Sequence, residues 1–436
     1  MRKSRGRLSI GVMACLAVLS VAVPAASGQT SSDPGVTPKS VKIGYVWSDT
    51  GVAASSFSGM GDAFKARIAA ENAKGGVNGR KIKVVAIDDK SSAANLTAVR
   101  DLVENEKVFA VVNDSSFGFL TYRYEIEAGV PVVGGGIDGN YYREPEAAKT
   151  IISVLGNRLA TPGITSTIFT DAIKKAGGKK VASLGYGISP SSAETAKMQS
   201  EYAAPASGLD AVYTNTSVDF GTTDVSPLVL GIKNAGADSV ILPMAASTNL
   251  AIDQGLKQAG VKMKATMLGA GYGQEVLDSP AVSTLGPTDY FFLQSKPAEL
   301  KDPAVKRFRS DLKKYSGFTG VPGLGQYYGY EAADLLVTGL EQAGKKLTRQ
   351  GFLDGLRKLG TWDGAGLTCL PVDISLENLS KSPKNCAYYA TVKDGKFVPA
   401  FGGKPIIGKT VGSPEAIAAN REPGPVTTSV PPTSSP

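Results

Sequence analysis

Two adjacent serines, Ser115 and Ser116, follow the apolar run Phe109 to Val112 and precede a helix expected over Leu120 to Glu127. Hydroxyls and free N–H groups at a helix start suit a carboxylate or another anion, and Asn113 and Phe117 beside them fit a binding loop. The same serines would serve equally as ordinary N-caps. Asp138, in Gly134-Gly135-Gly136-Ile137-Asp138, could face a ligand cation or bond its own turn. Trp47 and Tyr272 could stack on a ligand or simply pack. Gly134, Gly136 and Gly139 spell G-x-G-x-x-G after a strand, yet no helix opens promptly and no acid ends a following strand about 20 residues on, so the glycines mark a permissive turn. Gly269-Ala270-Gly271-Tyr272-Gly273 fails similarly, and neither run is followed by Gly-Lys-Ser/Thr.

Histidine is absent from the 436 residues, which removes Ser-His-Asp and Cys-His catalysis, histidine-ligated metals and haem on a proximal histidine. No acidic cluster has metal spacing, and no nucleophile has a visible base. The inventory favours binding over catalysis, with no metal and no cofactor.

The elements that position these residues alternate. Val41 to Val46, Ile82 to Ile87, Phe109 to Val112 and Val130 to Val133 read as short apolar strands, with helices over 62–73 and around Leu96, Val99 and Val103. A second block repeats the theme: strands Val181 to Tyr186, Ala211 to Thr214, Ser239 to Leu242 and Ala265 to Leu268, helices 191–203, 225–235 and 247–259. Such alternation predicts parallel sheets covered on both faces, an α/β fold. Ligands then bind at the carboxyl ends of the strands, which carry Trp47-Ser48, Asp88-Asp89, Ser115-Ser116-Phe117, Ile137-Asp138, Tyr186 to Ser189, Ala245 to Ser247 and Gly269 to Tyr272. Further on, helices are expected over Ala304 to Tyr315 and Glu331 to Ala343, with Tyr327 and Tyr328 before the second. A hairpin is expected around Asp394-Gly395.

The net charge of +8 is partly local: Arg2, Lys3, Arg5 and Arg7 precede the apolar run Leu8 to Val23, and without them 43 basic residues face 39 acidic. A basic start, an apolar middle and Pro24-Ala25-Ala26-Ser27 describe a secretory signal peptide. A membrane anchor is the second reading, although the run is short of the ~20 residues a span needs. Val12-Met13-Ala14-Cys15 weakly resembles a lipoprotein signal, so lipid attachment is a further alternative. The working part is therefore expected outside the cytoplasm, secreted or in the cell envelope. Cys369 and Cys386, with 16 residues between them, are expected to pair there, two buried thiols being the alternative.

Several segments together resemble the periplasmic binding proteins of the branched-chain amino-acid (leucine/isoleucine/valine) ABC transport family. They are Val41 to Val46, Asn72-Ala73-Lys74-Gly75-Gly76-Val77-Asn78-Gly79-Arg80-Lys81-Ile82, Ile87-Asp88-Asp89, Asp219-Phe220 with Thr222-Thr223-Asp224, Lys233 to Asp238, Gln258-Ala259-Gly260, and Gly329 to Leu336. The resemblance runs from about residue 40 to 400. It implies two doubly wound parallel-sheet lobes joined by three crossovers, closing on a ligand like a flytrap. On that pattern 40–155 plus 290–360 make lobe one and 156–289 plus 361–405 lobe two; composition sets off residues 1–27 as the signal peptide, 28–39 as a tether and 406–436 as an extended, Pro/Thr/Ser-rich tail. The resemblance also implies a monomer that delivers a small molecule to an ABC permease and has no business with nucleic acid.

On the same resemblance, Ser115 and Ser116 match the loop that holds a ligand carboxylate, and Ile137 and Asp138 fall in the loop near the ligand amine. The expected ligand contacts are Trp47, Ser48, Ser115, Ser116, Phe117, Ile137, Asp138, Tyr186, Ser189 and Tyr272. Two departures stand out. Ala270-Gly271 occupy the place of the acid that meets the amine, and Pro190-Ser191 that of a Tyr-Gly pair. An ammonium buried without a partner costs several kcal/mol, so either Asp138 supplies the counter-charge or the ligand lacks an amine. A sensory module for a membrane partner, and a secreted enzyme on the same frame, are the rival functions; the second meets neither a histidine nor a nucleophile motif.

Overall fold

The computed structural model describes residues 33–139, 141–156, 163–377 and 385–419. The expected signal peptide, Cys15, the start of the tether and the end of the tail lie outside the described residues. Five parallel strands, β1 (Ser40–Trp47), β2 (Lys81–Asp88), β3 (Ala110–Asp114), β4 (Val132–Val133) and β5 (Ile151–Ile152), form the first sheet in the order β2-β1-β3-β4-β5. Trp47 pairs in register with Asp88 on one side and with Asp114 on the other. The register therefore sets the loops beginning at Ser48, Asp89 and Ser115 side by side on one edge.

The chain then crosses over. After the short β6 (Ile164–Ser166) come β7 (Lys180–Tyr186), β8 (Asp210–Val218), β9 (Ser239–Leu242), β10 (Ala265–Leu268) and β11 (Asp289–Leu293), parallel in the order β8-β7-β9-β10-β11. Every residue of β3, β9 and β10 is buried, as strands covered on both faces must be. The chain returns to the first lobe for the helices Leu324–Ala343 and Arg349–Leu359. It passes through the antiparallel pair β12 (Thr361–Trp362) and β13 (Val372–Asp373), and crosses a third time. The hairpin β14 (Asn385–Lys393) and β15 (Lys396–Pro399) then adds two antiparallel strands beyond β11. Its turn has Asp394 at φ 51° and Gly395 at φ 69°, the left-handed pair that matches strand twist.

Helix Leu324–Ala343 lies directly on helix Met60–Ala73. A Cβ on Gly329 would stand 2.1 Å from the Met60 carbonyl oxygen, so only glycine permits this approach. The helix begins seven residues before the expected Glu331, because the Gln326 side chain accepts from Gly323 N–H at 2.8 Å and closes the first turn. Tyr327 and Tyr328 are consequently helical. The helix expected over 191–203 is α only for Pro190–Met198 and widens into a π turn, Gln199–Ala203.

Three boundaries move. Strand β11 pairs in the second sheet, so the return to the first lobe comes after Leu293 rather than at 290. Residues 406–419, expected as the start of an extended tail, include β16 (Ile406–Gly408), which pairs with β14, and β17 (Thr410–Gly412), which covers β6. A short helix, Pro414–Ala419, follows them. The helix expected from Leu120 begins at Tyr122, so neither Ser115 nor Ser116 caps it.

Cys369 and Cys386 are bonded, tying the segment after β12 to β14. Closing a loop of this size contributes on the order of 3 kcal/mol. Urea unfolding of Cys369→Ser/Cys386→Ser should show a loss of that order, and the wild type should lose the same amount in reductant.

Candidate ligand-binding cleft

The loop that carries Ser115 and Ser116 rests on one buried carboxylate. Asp89, only 1 % exposed, accepts Ser48 Oγ at 2.9 Å and Ser91 N–H at 2.9 Å on Oδ1, and Asn95 Nδ2 at 3.1 Å and Ser115 Oγ on Oδ2. Burial raises the Asp89 carboxyl above its ordinary value, and these bonds pull it back only in part. Ser48 Oγ also accepts from Ser116 N–H at 3.2 Å, and Ser115 Oγ from Phe117 N–H at 2.8 Å. Ser48 and Ser115, expected as ligand contacts, thus spend their hydroxyls on holding the loop. Ser116 lines the cleft, with its Oγ buried and unpaired.

Below this loop, Asn113 donates to Glu125 Oε1 at 2.7 Å, while Asp114 Oδ1 accepts Gly135 N–H at 3.0 Å under the Gly134–Asp138 loop. Burial pushes the Asp114 and Glu125 carboxyls each up to about 7. Acids raised in the folded state favour folding while protonated. Their contribution is complete below the unfolded values near 4 and is lost as pH rises through about 7. Stability should therefore fall by on the order of a few kcal/mol per group between about pH 4 and 7. Glu125→Gln and Asp114→Asn should each flatten that slope in urea midpoints taken across this range.

Asp138 does not bond its own turn but reaches across to the other lobe. Its Oδ1 accepts Ser189 Oγ at 2.7 Å, Ser191 Oγ at 2.8 Å and Ser191 N–H at 3.2 Å, all from the other lobe. Ser189 also caps the helix Pro190–Met198, accepting Ser192 N–H at 3.2 Å. The carboxylate therefore sits on a helix N-terminus, where the backbone dipoles favour negative charge. A second inter-lobe bond runs from Ala246 N–H to Ser56 Oγ at 3.1 Å. These contacts clasp the lobes together.

Between the lobes lies a cavity of about 210 Å³. Of the expected contacts, Ser116, Phe117, Ile137, Asp138, Tyr186 and Ser189 line it. Tyr186 offers only its ring, because its hydroxyl donates to Thr248 Oγ1 at 2.7 Å and accepts Ala245 N–H at 3.3 Å. Trp47 is a correction: it stacks on Tyr45 with centroids 5.0 Å apart, deep in the first lobe's core. Tyr272 is another, since its hydroxyl donates to Glu299 at 2.7 Å and its ring packs on Phe397, outside this cavity.

The remaining walls come from residues with no local signature of a site. Phe57 and Tyr328 come from the first lobe, and Ile168, Phe169, Phe220, Met244 and Phe292 from the second. Phe220 touches Phe117 across the gap at 6.3 Å and Tyr186 at 4.8 Å, both edge-on. Ser189, Ser192, Thr195 and Gln199 recur three or four apart on the Pro190 helix and its π turn, and all four line the cavity. At 1.5 Å per residue that stripe spans about 15 Å, so the cavity runs from the cleft along the helix into the second lobe. Asp138 is the one charged residue among those lining it.

A family model described as "periplasmic binding protein" matches residues 40–396. Leu/Ile/Val-binding protein homolog 7 of Brucella suis biovar 1 (strain 1330) is 28% identical over 269 residues, 57% of this chain and 64% of the relative, so the matched part spans just under two thirds of that protein. Among solved structures, a fatty acid ABC transporter substrate-binding protein from Thermomonospora curvata superposes with a TM-score of 0.67 at 20% identity, covering 91% of this chain and 97% of the other. An ABC transporter solute-binding protein from R. palustris in complex with benzoate superposes with a TM-score of 0.66 at 17% identity, covering 87% and 99%. Two mainly parallel sheets joined by three crossings, a cleft between them and a family match over most of the length agree: this chain belongs to the periplasmic binding proteins and has their type I fold.

Proposed function

We propose that this protein captures an elongated amphiphilic monocarboxylate, acyl or aryl, that has no α-amine, and delivers it to an ABC permease outside the cytoplasm. The observation that carries this reading is the cavity's lining, mostly aromatic and aliphatic with Asp138 its one charged side chain. The one carboxylate lining the cavity spends its Oδ1 on three donors that join the lobes, and Ala270-Gly271 stand where the resemblance places the acid that meets an amine. The Ser116 hydroxyl, unpaired in the wall, suits the carboxylate head, and the aromatic and aliphatic walls suit the body. The neighbours named for a fatty acid and for benzoate fit the same chemistry.

A ligand that touches both lobes favours the closed arrangement by its differential affinity. Thermal-shift and small-angle scattering measurements with hexanoate, octanoate, benzoate and 4-phenylbutanoate should show a raised melting temperature and a smaller radius for at least one acid. The branched-chain amino acids should produce neither change. Stabilisation by amino acids alone would overturn the reading.

A further inference from the structure

We propose that Gln199 forms a second polar subsite at the far end of the cavity, taking a hydroxyl on the ligand remote from its carboxylate. This rests on the carboxylate reading above and adds a second pole to it. The amide's orientation is fixed chemically. Gln199 Nε2 donates to the Ser166 carbonyl at 2.9 Å and to Thr165 Oγ1 at 3.0 Å, and a carbonyl oxygen can only accept. The amide nitrogen must therefore face β6, which leaves Oε1 as the unpaired atom.

Gln199 is 1 % exposed, and its Oε1 has no hydrogen-bond partner. It lies in the wall of the cavity, ten residues along the helix from Ser189 and so about 15 Å from the cleft. Ile168, Phe169, Met244 and Phe292 supply apolar wall to the same cavity. A π turn begins at Gln199, and such turns gather at functional sites. A buried acceptor without a donor is costly, and a ligand hydroxyl relieves that cost. A site built around such an acceptor rejects the analogue that lacks the donor more strongly than it rejects a missing methylene.

The test is calorimetry with octanoate, 8-hydroxyoctanoate and 8-methoxyoctanoate, whose ether oxygen cannot donate. The wild type should bind 8-hydroxyoctanoate at least about tenfold more tightly than octanoate, and the methoxy acid no more tightly than octanoate. In Gln199→Leu the hydroxyl preference should vanish while octanoate binding remains. The ether comparison uses the unaltered protein, so the result stands even where that variant folds poorly. Octanoate binding with no hydroxyl preference, or a preference shared by the ether, overturns the subsite alone. Failure of all three acids overturns the carboxylate reading and the subsite with it.

Discussion

Asp89→Ala should destabilise the protein by about 3–5 kcal/mol and abolish measurable ligand binding. The substitution strands four donors at once: the Ser48 and Ser115 hydroxyls, the Ser91 N–H and the Asn95 amide. Each is buried, and a buried donor without an acceptor costs about 1–3 kcal/mol before any relaxation. Relaxation here means release of the Ser115–Phe117 loop, because Ser48 Oγ holds the Ser116 N–H. Binding should therefore fail by more than the stability loss alone explains. Asp89→Asn, which keeps one acceptor oxygen, should lose less of both. Urea unfolding and calorimetry on the two variants check the order.

Asp138→Ala should weaken binding by about tenfold to a hundredfold while changing the melting temperature of the ligand-free protein little. The three bonds to Ser189 and Ser191 exist only when the lobes are together, so their loss falls on the closed state alone. Apparent affinity scales with the fraction of molecules able to close. About 1.4 to 2.8 kcal/mol removed from the clasp reduces that fraction by the stated factor. Asp138→Asn retains an acceptor for the serine hydroxyls and should fall between the two. Scattering should show the alanine variant expanded relative to the wild type at equal ligand concentration.

The sheets were legible because their strands are short, apolar and bounded by Gly or polar residues, and every strand from β1 to β4 and β7 to β10 lies where that pattern predicts. The rule that ligands gather at strand carboxyl ends brought out Ser116, Phe117, Ile137, Asp138, Tyr186 and Ser189, all of which line the cavity. It also brought out Ser48 and Ser115. A hydroxyl on such a loop looks the same in sequence whether it meets a ligand or a buried aspartate. Trp47 and Tyr272 were ambiguous for a related reason, since an aromatic ring at a strand end turns inward or outward according to packing alone.

Phe292 and Asn385, both in the cavity wall, were invisible as site residues because β11 and β14 are brought together only by the third crossover. The polar stripe Ser189, Ser192, Thr195 and Gln199 did have helical spacing. What the spacing could not show was that this face, usually the solvated one, overlies a cavity. The engagement of Asp138 was likewise hidden, because its partners lie more than fifty residues away.

The most direct measurement compares two ligands that share one skeleton and differ only in the α-amine: octanoate and 2-aminooctanoate, titrated calorimetrically into the same preparation. With Ala270-Gly271 where an acid would meet the amine and Asp138 Oδ1 engaged in the inter-lobe clasp, 2-aminooctanoate should bind at least about 100-fold more weakly than octanoate. Binding of the amino acid as tight as that of octanoate, or tighter, would contradict the account.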